Sequence, residues 1–322
     1  ELIVVDDGST DHSADVAKRF GAKVLHTNGR MGPGAARNIG AHNARGEWVC
    51  FIDADCEVNE FTFPNLADEM REFPDVDAFF GSYDDTPRAP NFIAQYKNLM
   101  HRYVHQQAHE DASTFWAGCG AVRRSTFLHL GGFDTQRFNR PSIEDIDLGY
   151  RIKQIEGKIR IAKSVQVKHY KAWNLKSLVK TDVFDRGVPW TRLLLANSSC
   201  RVNQLNLGNE QKISIVCAYL LVAFTLASVV WPTLLLTAGA LATVLTYMNR
   251  EVYAYFLRCR GFIFMLKVMP MHWLYFLYAG FSFGLGVLHH GWDTLFGNNK
   301  FVLQPPADRS NVLELTRSSR GQ

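Results

Sequence analysis

Two acidic clusters, Asp6-Asp7-Gly8-Ser9-Thr10-Asp11 and Asp53-Ala54-Asp55, each close a short apolar run that reads as a buried strand. The runs are Leu2-Ile3-Val4-Val5 and Trp48-Val49-Cys50-Phe51-Ile52, both rich in β-formers and bounded by turn residues. In a parallel α/β sheet, ligands bind just beyond the carboxyl ends of the strands, so both clusters are expected to open onto one crevice. Carboxylates gathered there repel one another unless a cation sits among them. Oxygen ligands beside a diphosphate suit Mg²⁺ or Mn²⁺, and the first expectation is a metal-assisted nucleotide site.

The pattern along the front of the chain alternates strands and helices. Asp11 is placed to cap a helix running to Phe20, and Lys23-Val24-Leu25 is a short strand. The loop Gly29-Arg30-Met31-Gly32-Pro33-Gly34 leads into a helix containing Ala35-Ala36-Arg37-Asn38-Ile39-Gly40. Two readings stay open for it: a plain helix entrance, or a backbone bare of Cβ atoms that lets a nucleotide approach the helix N-terminus while Arg37 neutralises phosphate. Further on, Ala78–Gly81 reads as a strand, Asn91–His109 as an amphipathic helix and Phe115–Val122 as a buried strand. Ser142–Gln154 reads as a helix whose early acids, Glu144, Asp145 and Asp147, have a capping role open to them because the helix dipole favours them there. His101, His105 and His109 fall on one helix face. That spacing can bind zinc, but a polar face near the acceptor or a subunit contact is the preferred reading.

The 322 residues suit about two domains, and their charge is unevenly spread. Of the 35 Lys+Arg, 10 lie from Arg201 onward, against 5 of the 31 Asp+Glu, so the back carries an excess of five positive charges and the front is near neutral. Basic residues at the edges of apolar runs point to a membrane surface and away from nucleic acid. Ile213–Trp231 is 19 residues without a charge, close to the roughly 20 that span a bilayer. Pro232 offers a turn, Thr233–Met248 can return to the starting side, residues 249–267 look interfacial, and Met271–Leu288 is a third apolar run. Basic loops stay cytoplasmic, which places the front domain inside. A third crossing would put Arg309, Arg317 and Arg320 outside against that rule, whereas a re-entrant 262–288 segment would keep them inside. The six cysteines show no CxxC or zinc spacing and fit a reduced compartment as packing residues. The chain begins inside a strand, so an upstream strand and helix are expected to be missing from it.

Val5-Asp6-Asp7-Gly8-Ser9-Thr10-Asp11, Gly34–Gly40, Asp53-Ala54-Asp55, Gly131-Gly132-Phe133-Asp134 and Ile143-Glu144-Asp145-Ile146-Asp147-Leu148 occur in an order that resembles glycosyltransferase family 2 over about residues 1–195. The resemblance implies a GT-A nucleotide-sugar-binding domain, an α/β fold with a Rossmann-like mixed sheet, over residues 1–200. Transmembrane and interfacial helices would follow over 201–300 and a polar tail over 301–322. It further implies that Asp6 and Asp7 lie at the nucleoside, Asp53 at the ribose or diphosphate, and Asp55 at the Mg²⁺ or Mn²⁺ ion, with His169 as a third-ligand candidate whose alternative is a structural role. Asp145 would be the general base of an inverting transfer, with Glu144 as runner-up. Arg186-Gly187-Val188-Pro189-Trp190 resembles the Arg/Trp element that holds acceptor sugar and diphosphate in membrane synthases. Here the two residues stand four apart, which argues against processive synthesis; an interfacial anchor is the other reading.

The expected activity is transfer of a sugar from a UDP- or GDP-sugar to an acceptor presented at the bilayer, a lipid or polyprenyl phosphate. The enzyme would be an integral membrane protein with its catalytic domain in the cytoplasm, an arrangement of the bacterial inner membrane. The alternatives are a processive polysaccharide synthase, or a membrane protein that binds nucleotide sugars without turnover.

Overall fold

The computed structural model describes residues 1–138, 140–197, 208–297 and 300–303. Strand β1 (Ile3–Asp6) and β2 (Lys23–His26) flank helix α1 (Ser13–Arg19) and pair in parallel. Helix α2 (Pro33–Asn43) leads to β3 (Trp48–Ile52), β4 (Cys56–Val58), α3 (Thr62–Glu72) and β5 (Ala78–Tyr83). Then come α4 (Phe92–Gln107), β6 (Asp111–Ala112), β7 (Cys119–Arg123), α5 (Arg124–His129), α6 (Glu144–Gln154) and β8 (Ile159–His169). Helix α7 (Leu175–Lys180), a π-helix (Thr181–Gly187) and α8 (Val188–Ala196) run on without a break. The back of the chain is helical: α9 (Asn209–Ala227), α10 (Leu234–Met248), α11 (Arg250–Arg260) and α12 (Phe262–Leu295).

The central sheet has the order β3-β7-β5-β8-β4, with β6 paired to β8. It is mixed and mainly antiparallel: within it only β5 and β8 run in parallel, and β1-β2 form a separate small sheet. This corrects the parallel sheet assumed from the apolar runs, because such a run shows that a strand is buried and says nothing of its partner's direction. The acidic ends of β1 and β3 still come together, because α2 bridges them. Its Gly40 lies against Val5, and its Arg37 reaches Asp53.

Three local expectations shift. Phe115–Gly118 is not strand; β7 starts at Cys119. The chain turns there so tightly that a Cβ on Gly118 would stand 2.4 Å from the Trp116 ring, and one on Gly120 equally close to the Trp116 carbonyl oxygen. His12, not Asp11, occupies the N-cap of α1, and the Asp11 carboxylate instead accepts from Ser13 N at 3.0 Å. Helix α6 begins at Glu144, whose carboxylate turns back to accept from Ser142 N at 2.8 Å.

Among the described residues two helices, Asn209–Ala227 and Phe262–Leu295, are long and apolar enough to cross a membrane, while Leu234–Met248 is shorter. The first ends four residues before Trp231, because residues 228–233 already form the turn into α10. Asn249 at the end of α10 reaches Ser214 near the start of α9 at 3.2 Å, so the two helices form an antiparallel hairpin. Helix α12 is one continuous helix through Pro270, not a segment that doubles back.

The core crosses the boundary expected at residue 200. Tyr96 and Leu99 of α4 share a buried cluster with Tyr253, Tyr255, Phe256, Val268 and Met271. Helix α12 approaches closely through small residues: a Cβ on Gly286 would meet Thr191 at 2.6 Å, and one on Gly187 would meet Ser282 at 2.4 Å. Of the polar tail expected from residue 301, Phe301 and Leu303 are buried against Phe138, Ile143, Tyr150 and Leu193, and the rest, with Arg309, Arg317 and Arg320, lies outside the described residues.

Candidate active site

The first acidic cluster is spent on building the glycine loop. The Asp7 carboxylate accepts from Met31 N at 2.7 Å, Gly32 N at 2.8 Å and the Thr27 hydroxyl at 2.7 Å. Burial opposes its ionisation, yet these three donors hold it below the usual carboxylate range. Gly32, at φ 88, takes a left-handed conformation that delivers the chain to Pro33, the first residue of α2. Asp6 accepts from Ser9 N at 3.1 Å and lies 3.2 Å from His26 Nδ1.

Arg37 does not point free into the crevice. Its guanidinium pairs with Asp53 at 2.5 Å and with Glu144 at 3.3 Å, tying the end of β3 to the start of α6. Both carboxylates are thereby oriented, and the arginine is neutralised by two anions before any phosphate arrives. Asp145 is the acid in this group without a cation at hydrogen-bond distance among the described residues: it accepts from Ile146 N at 2.8 Å and Ala117 N at 3.2 Å. Burial, reinforced by the neighbouring Glu144 charge, pushes its carboxyl up to about 6. The two adjacent acids thus differ: Glu144 is committed to Arg37, and Asp145 is a half-buried carboxylate poised near neutrality.

Asp55 meets His169 beyond the end of β3. His169 closes β8, its Nε2 is 3.4 Å from Asp55 Oδ2, and its Nδ1 is 2.6 Å from Asn98 Oδ1. The Asn98 carbonyl oxygen can only accept, so Nδ1 carries the proton and Nε2 turns its lone pair toward Asp55. Two lone pairs at that distance repel unless a positive charge sits between them, and the contact with His169 holds the Asp55 carboxyl below its usual range. A divalent ion fits, since adjacent ligands of an octahedral ion at ~2.1 Å stand about 3 Å apart. Tyr83 stacks flat on the His169 ring, 4.3 Å between centroids, and fixes its plane.

Cys56 was expected only to pack. Its sulfur falls within 4.8 Å of the Asp55 and His169 ligand atoms. Burial and the charges of Asp53 and Asp55 push its thiol up, so it stays protonated beside the pair and is a poor ligand for a hard ion. Asn98 also escaped the sequence reading. The signal that could have found it is a polar residue on the buried face of α4, level with Ala94 and His105. On that face the His101 and His105 rings touch at a tilt, 4.1 Å between centroids, and His105 Nδ1 meets the Gly81 carbonyl at 3.0 Å. Among the described residues they join no carboxylate or thiol in a metal-binding group, so the zinc reading finds no support.

Arg186 and Trp190 are parted by the helix that carries them. Arg186, at the end of the π-helix, is half-exposed and lies 3.9 Å from Asp182, which binds the half-buried Lys97 at 2.6 Å and accepts from the Tyr278 hydroxyl at 3.0 Å. Its charge is felt at Asp145. Trp190 instead packs beside Ile143 and Leu193, donating its indole N–H to the Tyr150 hydroxyl at 2.9 Å.

Residues 1–131, which hold the glycine loop, Arg37, Asp53 and Asp55, match the family described as glycosyl transferase family 2. They form a family 2 glycosyltransferase domain. The domain is similar to glycosyltransferase GlyG of Streptococcus pneumoniae, 35% identical over 88 residues that cover 26% of this chain and 29% of that protein. It is also similar to the putative glycosyltransferase EpsH of Bacillus subtilis, 45% identical over 75 residues that cover 22% and 20%. The chain thus spans less than a third of these curated relatives. Among solved structures, the mannosyltransferase PcManGT of Pyrobaculum calidifontis, in complex with GDP-Man and Mn²⁺, aligns with 91% of this chain and 78% of its own at 17% identity and a TM-score of 0.43.

Proposed function

We propose that the chain transfers a sugar, with inversion, from a UDP- or GDP-sugar to an acceptor presented at a membrane, with Asp145 as general base. The observation that carries the reading is the difference between the adjacent acids: Glu144 is held by Arg37, whereas Asp145 has no cation at hydrogen-bond distance among the described residues and is pushed up to about 6. A base with such a value is mostly ionised at neutral pH yet still accepts a proton readily. Inversion requires an acceptor hydroxyl to attack the anomeric carbon opposite the leaving nucleoside diphosphate, and Asp145 would take the proton of that hydroxyl.

The remaining residues would bind and orient the donor. Asp7 shapes the loop against which the nucleoside rests, with Asp6 beside it, and Asp53 is held in place by Arg37 to meet the ribose or diphosphate. Arg186 supplies positive charge on the acceptor or diphosphate side, and Trp190 acts there by buttressing α6. Asp55 and His169 would hold Mg²⁺ or Mn²⁺, which when bound supplies charge stabilisation to the departing diphosphate. The apolar back of the chain would keep the protein at the bilayer, with the catalytic domain in the cytoplasm and lipid or polyprenyl phosphate acceptors within reach.

The test is to incubate the purified chain with Mn²⁺ and a panel of UDP- and GDP-sugars, measuring nucleoside diphosphate release with and without lipid extract and the anomeric configuration of the product by NMR. Release that no lipid stimulates, or a product of retained configuration, would overturn it. Because Asn98 sets the lone pair of His169, Asn98→Ala is expected to weaken Mn²⁺ binding by about 10–100-fold, read as free Mn²⁺ by electron paramagnetic resonance. Unchanged affinity would remove His169 from the metal site.

A further inference from the structure

Helix α12 has 34 residues, about 51 Å of rise, more than enough to cross a bilayer. A crossing helix, however, must carry one end some 30 Å away from a domain that stays in water. Here both ends and the middle are fastened to that domain. Just before α12, Arg260 donates to Gln95 Oε1 at 2.9 Å and to the Asp85 carbonyl at 2.7 Å. In the middle Tyr278 reaches Asp182, and near the far end Asp293 pairs with Arg192 at 2.5 Å. Beyond it, Leu303 N donates to Asn197 Oδ1 at 2.9 Å. The helix therefore lies along the catalytic domain over its whole length.

Its outer side is nevertheless largely apolar, with Lys267 near its start and His289 near its end. Ile263, Leu266, Leu274, Phe281, Leu288, Trp292 and Leu295 recur at helical spacing and are exposed, up to 82% at Leu295. The α9-α10 hairpin adds to this surface. It packs on α12 through Ile215, Ala218, Leu221 and Phe276, and beyond Leu221 its side chains are largely exposed, Val229 at 84% and Leu236 at 80%. From Leu221 to the tip at Trp231 is at most about 15 Å of helical rise, half the ~30 Å hydrocarbon core. No charge interrupts residues 213–249, and Lys212 and Arg250 bracket the hairpin at its base.

We infer that the chain is monotopic: α12 lies in the plane of one leaflet of an anionic membrane, the α9-α10 hairpin inserts only to mid-bilayer, and the chain after α12 returns to the side of the catalytic domain. The match is one of length and charge. A hairpin of that reach places Trp231 at the bilayer centre while Lys212 and Arg250, roughly 28 Å of helical rise above the tip, stand on the water side of the headgroups, where the net positive back of the chain complements an anionic surface. The inference rests on the membrane reading of the function and replaces the expected crossings with a one-sided insertion.

The full chain is added to preformed vesicles of phosphatidylcholine and phosphatidylglycerol. Lipids brominated near the acyl terminus are expected to quench the fluorescence that Trp231→Phe removes more strongly than lipids brominated near the headgroup. Tags at both chain ends should be open to protease from outside. Glutamates at Val229 and Val230 should lower vesicle binding about tenfold or more. Strongest quenching by headgroup-side bromines, or protection of one tag, would establish a crossing and overturn the inference even if lipid-dependent transfer persists. Absence of lipid quenching with concentration-dependent dimers would overturn it in favour of a second copy covering this face. One-sided insertion with no transfer to any lipid would leave the topology standing and remove the proposed acceptor.

Discussion

Asp145→Asn is expected to lower kcat by about 10²–10⁴-fold, the usual loss when a general base is removed, while donor affinity stays near that of the wild type. The asparagine preserves shape and still accepts from Ala117 N and Ile146 N, so the fold should be indifferent to it. The wild-type rate should carry the same signature in its pH profile. A base must be deprotonated to act, and burial with the Glu144 charge raises Asp145 to about 6, so activity should be full well above that value and fall tenfold per pH unit below it. Glu144→Gln should behave differently, since it releases Arg37 and disturbs Asp53, weakening donor binding as well as turnover. A normal kcat in Asp145→Asn would move the base elsewhere.

Asp55→Ala should abolish metal-dependent transfer, with a loss at least as large as that at Asp145, because it leaves His169 alone at the site. Chelation of the wild type by EDTA should reproduce the effect and Mn²⁺ should reverse it. Calorimetry should show Mn²⁺ binding lost in Asp55→Ala and in His169→Ala but kept in Asp145→Asn. Turnover in Asp55→Ala that is undiminished and insensitive to EDTA would remove the metal from the reaction.

The sequence exposed the pieces of this site more readily than their connections. Apolar runs ending in Asp7 and Asp53 placed two strand ends well, since burial and turn chemistry are local properties of a few residues. The helix carrying Glu144 and Asp145 was equally legible from its acidic start. What periodicity cannot carry is the identity of partners. That Arg37 is taken up by Glu144, 107 residues away, or that Asn98 orients His169, depends on how sheet and helices stack. Strand direction failed for the same reason, and Phe115–Gly118 misled because an aromatic, glycine-rich stretch has the composition of a strand while the glycines serve a turn. Along α12, hydropathy registered apolar residues on both faces without showing that one face was already covered by protein.

The buried cluster that joins α4 to α11 and α12 also sets an order of events during synthesis. Tyr96 stacks on Phe256 at 5.8 Å, and Leu99 is closed over by residues that follow the α9-α10 hairpin in the chain. When the front domain leaves the ribosome, α4 therefore still presents an uncovered aromatic face, and the hairpin emerges before its cover does. Completion of the catalytic domain waits on residues 250–285, so a nascent chain already held at a bilayer by its hairpin would be kept from aggregating through that face while the last helices arrive.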